Sequence, residues 1–258
     1  MCARHRREKL EVVHERLKSG TAVRLIATLL VEAGADLDFP VVWRAEAGLE
    51  SIIQAAGRCN REGRASAGDI FVFEPEGRAA PPEIAQFADA ARSVLRRFRD
   101  DPMSLEAISA YFQELYWCKG REALDAKRIL DQIAERQHGL DFPFETIAAE
   151  FRLIEDSQVP VVVPWRGESG DDDTAERLLH DLAYAPRPVP TARRLQPYVV
   201  QIPPYTRSAL LAAGAVSVFR EEEFGQQFVL LENLDLYRAD TGLSLADPTY
   251  RRTEGLVL

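Results

Sequence analysis

The chain has 258 residues, 46% hydrophobic and 28% charged, which is enough to build one large or two modest cores of an ordinary globular type. Its formal net charge of −9 excludes a general nucleic-acid coat protein, so any contact with nucleic acid must come from a local patch. No apolar run approaches the roughly 18–20 residues that span a bilayer, and the charged start "MCARHRREKL" is not followed by the apolar segment of a secretory signal, so the sequence predicts a cytoplasmic protein with no membrane contact.

Taken in order, "REKLEVVHERLKSG" predicts an amphipathic helix with Leu10, Val13 and Leu17 on one face and Gly20 as its stop. "AVRLIATLL" (22–30) is a continuous β-forming run, as expected of a buried strand. "VVWRAE" and "GDIFVFEPEG" predict two more strands, with a helix over 50–62 between them. Helix, strand, strand, helix, strand is the rhythm of an α/β sheet covered by helices.

After Pro81-Pro82 the texture becomes helical. Helices are expected at 82–100, over "SLEAISAYFQELYWC", over "ALDAKRILDQIAER" and over "FETIAAEFRLI". Strands follow at "VPVVVPW", "YVVQIP" and near 215–220 and 227–237, with helices at "TAERLLHDLA" and "RSALLAAG". These shifts place a domain boundary at 77–101: an α/β piece over 1–77, a linker helix over 78–101, and a mainly helical α+β domain over 102–258.

Cys2, Cys59 and Cys118 are far apart and form no CxxC pair, and the four histidines have no metal-ligand spacing. Asp171, Asp172 and Asp173 are expected to cap the next helix, not to hold a metal ion.

The segment most suggestive of chemistry is "QAAGRCNREGR" (54–64). If helical, it sets Gln54, Arg58 and Arg61 at i, i+4 and i+7 on one face, while Ile52, Ile53 and Ala56 turn elsewhere. Two guanidiniums one turn apart beside an amide suit phosphate oxygens. The alternative is a solvated basic face balanced by Glu50 and Glu62.

"VEAGADLDFPVVWRAEAGLESIIQAAGRCNREGR" resembles motifs V and VI of superfamily-two helicases, at the spacing of the CRISPR-associated helicase-nuclease of type I systems. "FRLIEDSQVPVVVPWRG" and "RRLQPYVVQIPPY" resemble the carboxy-terminal domain of that family. The resemblance implies a partial second RecA-like domain, a linker helix and an accessory domain. The chain has no G-x-x-x-x-G-K-[ST] phosphate loop, no acidic magnesium box and no nuclease motif. It also implies that ATP, with its Mg, is held by an amino-terminal helicase-nuclease portion, and that Cascade and single-stranded DNA are partners.

By resemblance, Arg58 and Arg61 face the transferring phosphoryl group as arginine fingers, and Gln54, Gly57, Glu32, Gly34 and Asp36 contribute to the ATP site. Thr28 lies near the DNA phosphates. Leu29 and Ala35 stand where the family usually has glutamine and valine. The expected function is therefore one side of the ATP site of a DNA helicase-nuclease in type I CRISPR interference, catalytically incomplete alone. The alternative is a stand-alone interaction module that docks on Cascade or on the full helicase.

Overall fold

A computed structural model describes residues 1–28, 31, 36–77, 82–136, 142–151 and 158–250. It is an α/β fold with small sheets, divided into two compact units: His14–Ile154, and Met1–Val13 together with Glu155–Leu258. None of its described helices is long and apolar enough to cross a membrane.

The chain opens on α1 (Ala3–Lys18), which ends where Gly20 takes a left-handed φ of 71°. Leu10, Val13 and Leu17 are only half-buried, and the residue that α1 fully buries is His5. Over its described part, residues 22–28, the expected strand at 22–30 does not form; residues 29 and 30 lie outside the described residues. Residues 21–28 have no regular structure, and Ile26 is fully exposed. A strand exists only through pairing, and among the described residues no neighbour offers this segment a ladder.

In the unit His14–Ile154, β1 (Val41–Ala45) and β2 (Asp69–Phe73) run parallel, Val41 opposite Asp69 and Ala45 opposite Phe73. The connection between them carries α2 (Leu49–Ala56), whose Leu49, Ile52 and Ala55 are buried. These side chains pack against α3 (Pro82–Arg97) and α4 (Leu105–Leu124) through Ala90, Ala91, Val94, Ala107 and Tyr111. Burial of Leu49 or Ile52 is worth about 1.5–3 kcal/mol each. The α/β piece and the helices after it therefore share one core. That core lies within the compact unit His14–Ile154.

Among the described residues the opposite face of the two-stranded sheet is exposed. Trp43 is 65% exposed and stacks on Phe71 with ring centroids 4.5 Å apart. The expected third helix starts late, at α5 (Ile129–Arg136), because Arg128 is left-handed and the Asp125 carboxylate caps the amides of Ile129 and Leu130. The fourth, α6 (Phe144–Glu150), joins α5 through a hydrogen bond from Gln132 to Glu150; residues 152–154 of the expected helix lie outside the described residues.

The other unit is built on a four-stranded mixed sheet ordered β4-β3-β6-β5: β3 (Val159–Val162), β4 (Val199–Ile202), β5 (Val216–Val218) and β6 (Val229–Leu231). Val162 faces α7 (Thr174–Tyr184) and α8 (Pro188–Leu195); Val161 and Val163 face α9 (Pro204–Ala212) and the chain's first residues. Both faces are covered, which is why "VPVVVPW" is apolar without alternation. Just before α7, Asp172 accepts from the Thr174 N–H at 3.0 Å, while Asp173, the N-cap, makes no side-chain cap bond and pairs with Arg177 instead. Among the described residues no group of three His, Cys, Asp or Glu side chains could hold a metal ion.

Within this unit the N-terminal turn of α1 is held by aromatic side chains. His5 stacks on Trp165 with centroids 3.7 Å apart, and its Nδ1 lies 3.1 Å from the Tyr237 hydroxyl. That hydroxyl also accepts from the Cys2 N–H at 2.9 Å, and Trp165 Nε1 donates to Glu8. Burial, chiefly, lowers the pKa of His5 from its ordinary value.

Candidate functional site

The apolar stripe of α2 explains both why the helix forms and where its exposed side chains go. With Leu49, Ile52 and Ala55 against α3 and α4, Gln54 is left exposed on the outer side. At Gly48, just before the helix, a Cβ would lie 2.6 Å from the Tyr111 hydroxyl and strike the Glu50 carboxylate, so these side chains would have to shift to admit one. Glu46, at the end of β1, pairs with Arg92 of α3 at 2.5 Å. That hydrogen bond holds the Glu46 carboxyl below the usual carboxylate range.

The helix ends earlier than the expected 50–62. Gly57 is its C-cap, and the amides of Arg58 and Cys59 fold onto Ala55 and Ala56 in tighter i→i−3 bonds. Asn60 then turns left-handed, with φ 47°. Its side chain accepts from the Ala65 N–H at 2.9 Å and donates to the Ala65 carbonyl at 2.7 Å, so a closed loop replaces another helical turn. Gln54, Arg58 and Arg61 therefore do not share one helical face. Gln54 sits on the helix, Arg58 in its closing turn, and Arg61 in the loop beyond Asn60.

That loop is joined to the segment before β1. Phe39 N–H donates to the Arg58 carbonyl, Asn60 N–H donates to the Phe39 carbonyl, both at 2.9 Å, and Phe39 and Cys59 form a parallel bridge. The Arg61 amide donates to Asp38 Oδ1 at 2.7 Å, and its guanidinium lies 3.1 Å from Asp36 Oδ1. Asp36, expected in the ATP site, thus stands beside an expected finger. The Asp36 backbone carbonyl is 3.1 Å from His14 Nδ1. The Cys59 thiol reaches the carbonyls of Pro40 and Asp69, and burial pushes its pKa up, which makes it a packing group and not a nucleophile.

Arg58 is half-buried; Arg61 and Thr28 are exposed, Thr28 in the irregular 21–28 segment. Glu32 and Gly34 lie outside the described residues. Gly57 has a φ of −64°, and a Cβ there would meet only ordinary contacts, so nothing in its own backbone or packing demands glycine. An open groove of about 750 Å³ lies beside the loop, lined in part by Arg24, Asp38, Asn60 and Arg64. Asp38, Asn60 and Arg64 were not singled out from the sequence, although all three stand in the quoted motifs; the missing signal for Asp38 was its bond to Arg61, 23 residues on.

The Arg61 amide is held by Asp38, and guanidiniums such as those of Arg58 and Arg61 suit phosphoryl oxygens. Residues 1–64 match the family profile described as CRISPR-associated nuclease/helicase Cas3, C-terminal. Over 37 residues the chain is 60% identical to the CRISPR-associated nuclease/helicase Cas3 of Haloferax volcanii, covering 14% of this chain and 4% of that protein. Crystal structures of T. fusca Cas3 are similar over 90% of this chain: one of Cas3 itself at 18% identity and TM-score 0.52, and one of Cas3-ATP at 17% and 0.51. The chain spans 31% of the length of those solved chains, and at this identity the likeness is one of fold.

Proposed function

We propose that this chain, which carries the C-terminal region of the CRISPR-associated nuclease/helicase Cas3 family, supplies the arginine side of an ATP site whose phosphate-binding part lies on a partner portion. The observation that carries this reading is the joining of the two motifs: Phe39 and Asp38 clamp the loop that presents Arg58 and Arg61. A guanidinium held in place before the reaction stabilises the charge that builds on transferring phosphoryl oxygens, without reorganisation at that moment.

In this reading Arg58 is the principal finger. It sits in a closing turn fixed by backbone bonds on both sides. Arg61 has its charge balanced by Asp36 until a nucleotide phosphate competes for it. Gln54 orients from the exposed side of α2, and Gly57 leaves room for a phosphate to approach the backbone. Bound ATP with its Mg would supply the phosphoryl group and the metal's neutralising charge. Thr28, Glu32 and Gly34 complete the reading as the segment that couples nucleotide to single-stranded DNA.

The chain alone lacks a phosphate loop and so hydrolyses no ATP. Mixed with an amino-terminal helicase-nuclease portion bearing that loop, it restores DNA-stimulated hydrolysis, and Arg58→Ala abolishes the gain. Hydrolysis by the purified chain alone, sensitive to Arg58→Ala, would sink the proposal. The uncovered Trp43–Phe71 face favours a second reading, docking on Cascade or the full helicase; co-sedimentation with each, lost in Trp43→Glu, tests it.

A further inference from the structure

The mixed sheet of the C-terminal unit ends on β4, which among the described residues pairs with β3 alone. Val163 N–H donates to the Tyr198 carbonyl at 2.8 Å, directly across the antiparallel register. Bonded pairs alternate along such a ladder, so Val161–Val200 and Val159–Ile202 are bonded pairs as well. Among the described residues the C=O of Val199 and the N–H and C=O of Gln201 are therefore directed at the free edge, while the Val199 N–H is taken by the Gln196 carbonyl. Edge strands are normally blunted by lysine, proline or a bulge. The sequence Val199–Ile202, VVQI, contains no lysine or proline.

Beside this edge, on the α8 face of the sheet, runs a groove of about 690 Å³. Val162 and Val199 form part of its floor, and Val189 of α8, 60% exposed, stands at its mouth. Arg193, Gln196 and Gln227 supply polar groups along it. Arg193 is exposed and makes no ion pair among the described residues.

We propose that the β4 edge and this groove take an extended peptide as a fifth strand, with alternate apolar side chains beside Val199 and Gln201 and an acidic side chain on Arg193. The free N–H and C=O groups of an edge give affinity through main-chain hydrogen bonds, and side-chain pockets give selectivity. Glutamine amides both donate and accept, as a peptide backbone requires. Arg193, the one charged residue lining the groove, fixes the sign of the partner's charge. An aliphatic floor with one guanidinium suits a peptide and not a phosphodiester chain, which needs a row of cations and stacking rings. This site is independent of the loop at 57–64.

The test is fluorescence anisotropy of a labelled peptide, acetyl-VTVTVTE-amide, titrated with the full chain. Saturable binding is expected. Arg193→Glu weakens it by about tenfold or more and restores it for the peptide ending in lysine. Gln201→Pro removes an outward N–H that the β3–β4 ladder does not use, so it weakens binding while the melting curve of the chain is unchanged. Absence of saturable binding, or binding indifferent to both substitutions, overturns the proposal. So does competition by an oligo-dT strand, or a chain that sediments as a dimer dissociated by Gln201→Pro, since the edge would then belong to nucleic acid or to a second copy.

Discussion

Arg61 and Asp38 are joined through the main chain: the Arg61 amide donates to Asp38 Oδ1 at 2.7 Å, leaving the Arg61 side chain free to turn toward Asp36. Hydrogen bonds to charged groups contribute about 1.5–3 kcal/mol, and the Asp38 side chain is only 14% exposed. Asp38→Ala should therefore destabilise the chain by about 1–3 kcal/mol, read as a lower denaturant midpoint at unchanged slope. Asp38→Asn keeps an acceptor and should cost less than half as much. Equal loss in both variants would mean that the bond to Arg61 contributes little.

Gly48 poses a packing question and not a conformational one. Any Cβ at this position meets the Tyr111 hydroxyl and the Glu50 carboxylate, both in the space where α2 enters the core. Gly48→Ala should cost about 1–3 kcal/mol, the scale of overpacking, and Tyr111→Phe in the same chain should recover part of it. Thermal melts of the three variants decide it; a Gly48→Ala chain as stable as the parent would show that the close approach relaxes freely.

Much of the fold was legible in the sequence because its signals are local. Proline near the start of α3, the stop at Gly20 and the β-rich runs of β1 and β3 each name an element without reference to the rest. Three features were not legible. The 22–30 run has the composition of a strand but finds no partner among the described residues, and pairing is not encoded in the run itself. The helix at 50–62 has helical spacing, yet the Asn60 side chain closes on Ala65 and stops it at Ala56. The shared core of α2, α3 and α4 was not visible either, because composition changes near residue 80 while α2 buries its apolar stripe against helices that lie after the change. Within the site, the motif residues were visible one by one, but the bonds of Asp38 to Arg61 and of Phe39 to Arg58 and Asn60 required the fold.

That shared core makes a prediction about fragments. A piece ending at residue 77 exposes Leu49 and Ile52, which α3 and α4 otherwise bury. It should show a broad, non-cooperative thermal transition and bind a hydrophobic dye, while the piece 14–154 melts cooperatively. Cooperative melting of 1–77 would support the boundary near residue 80.

The His5 contact gives the C-terminal unit a pH dependence with a defined sign. His5 is fully buried, with Trp165 stacked on it and Tyr237 bonded to it, and its neighbours include Lys9, the Met1 amine, Glu8 and Glu168. Its folded-state pKa lies below the ordinary 6.5, so the unfolded chain takes up the proton first as pH falls. The stability held by neutral His5 is complete above about pH 6.5 and is lost as pH drops from there toward the lower folded value. Melting temperatures between pH 7.5 and 5.5 should fall for the parent chain and fall less for His5→Phe, which keeps the stack and cannot titrate. Parallel curves for the two would assign the dependence to other groups.

The last prediction separates the two candidate fingers. Arg58 sits in a turn held by backbone bonds from both Phe39 and the end of α2, whereas the Arg61 guanidinium starts from a pair with Asp36 that is 77% exposed at the carboxylate. Exposed pairs contribute about 0–1 kcal/mol, so a phosphate can displace Asp36 at small cost, whereas the turn that carries Arg58 is held by main-chain bonds. In a complex with a phosphate-loop portion, Arg58→Ala should lower turnover by about 10³-fold or more and Arg61→Ala by a smaller factor. Arg58→Lys should recover little, since the planar fork is lost. Asp36→Asn releases Arg61 from its partner and should leave turnover unchanged or raised in the parent, while deepening nothing in the Arg61→Ala background. Steady-state ATP hydrolysis across these variants, with and without single-stranded DNA, measures all of it. An Arg61→Ala loss larger than that of Arg58→Ala would reverse the assignment, and a full loss in Asp36→Asn would mean that the carboxylate itself serves the nucleotide.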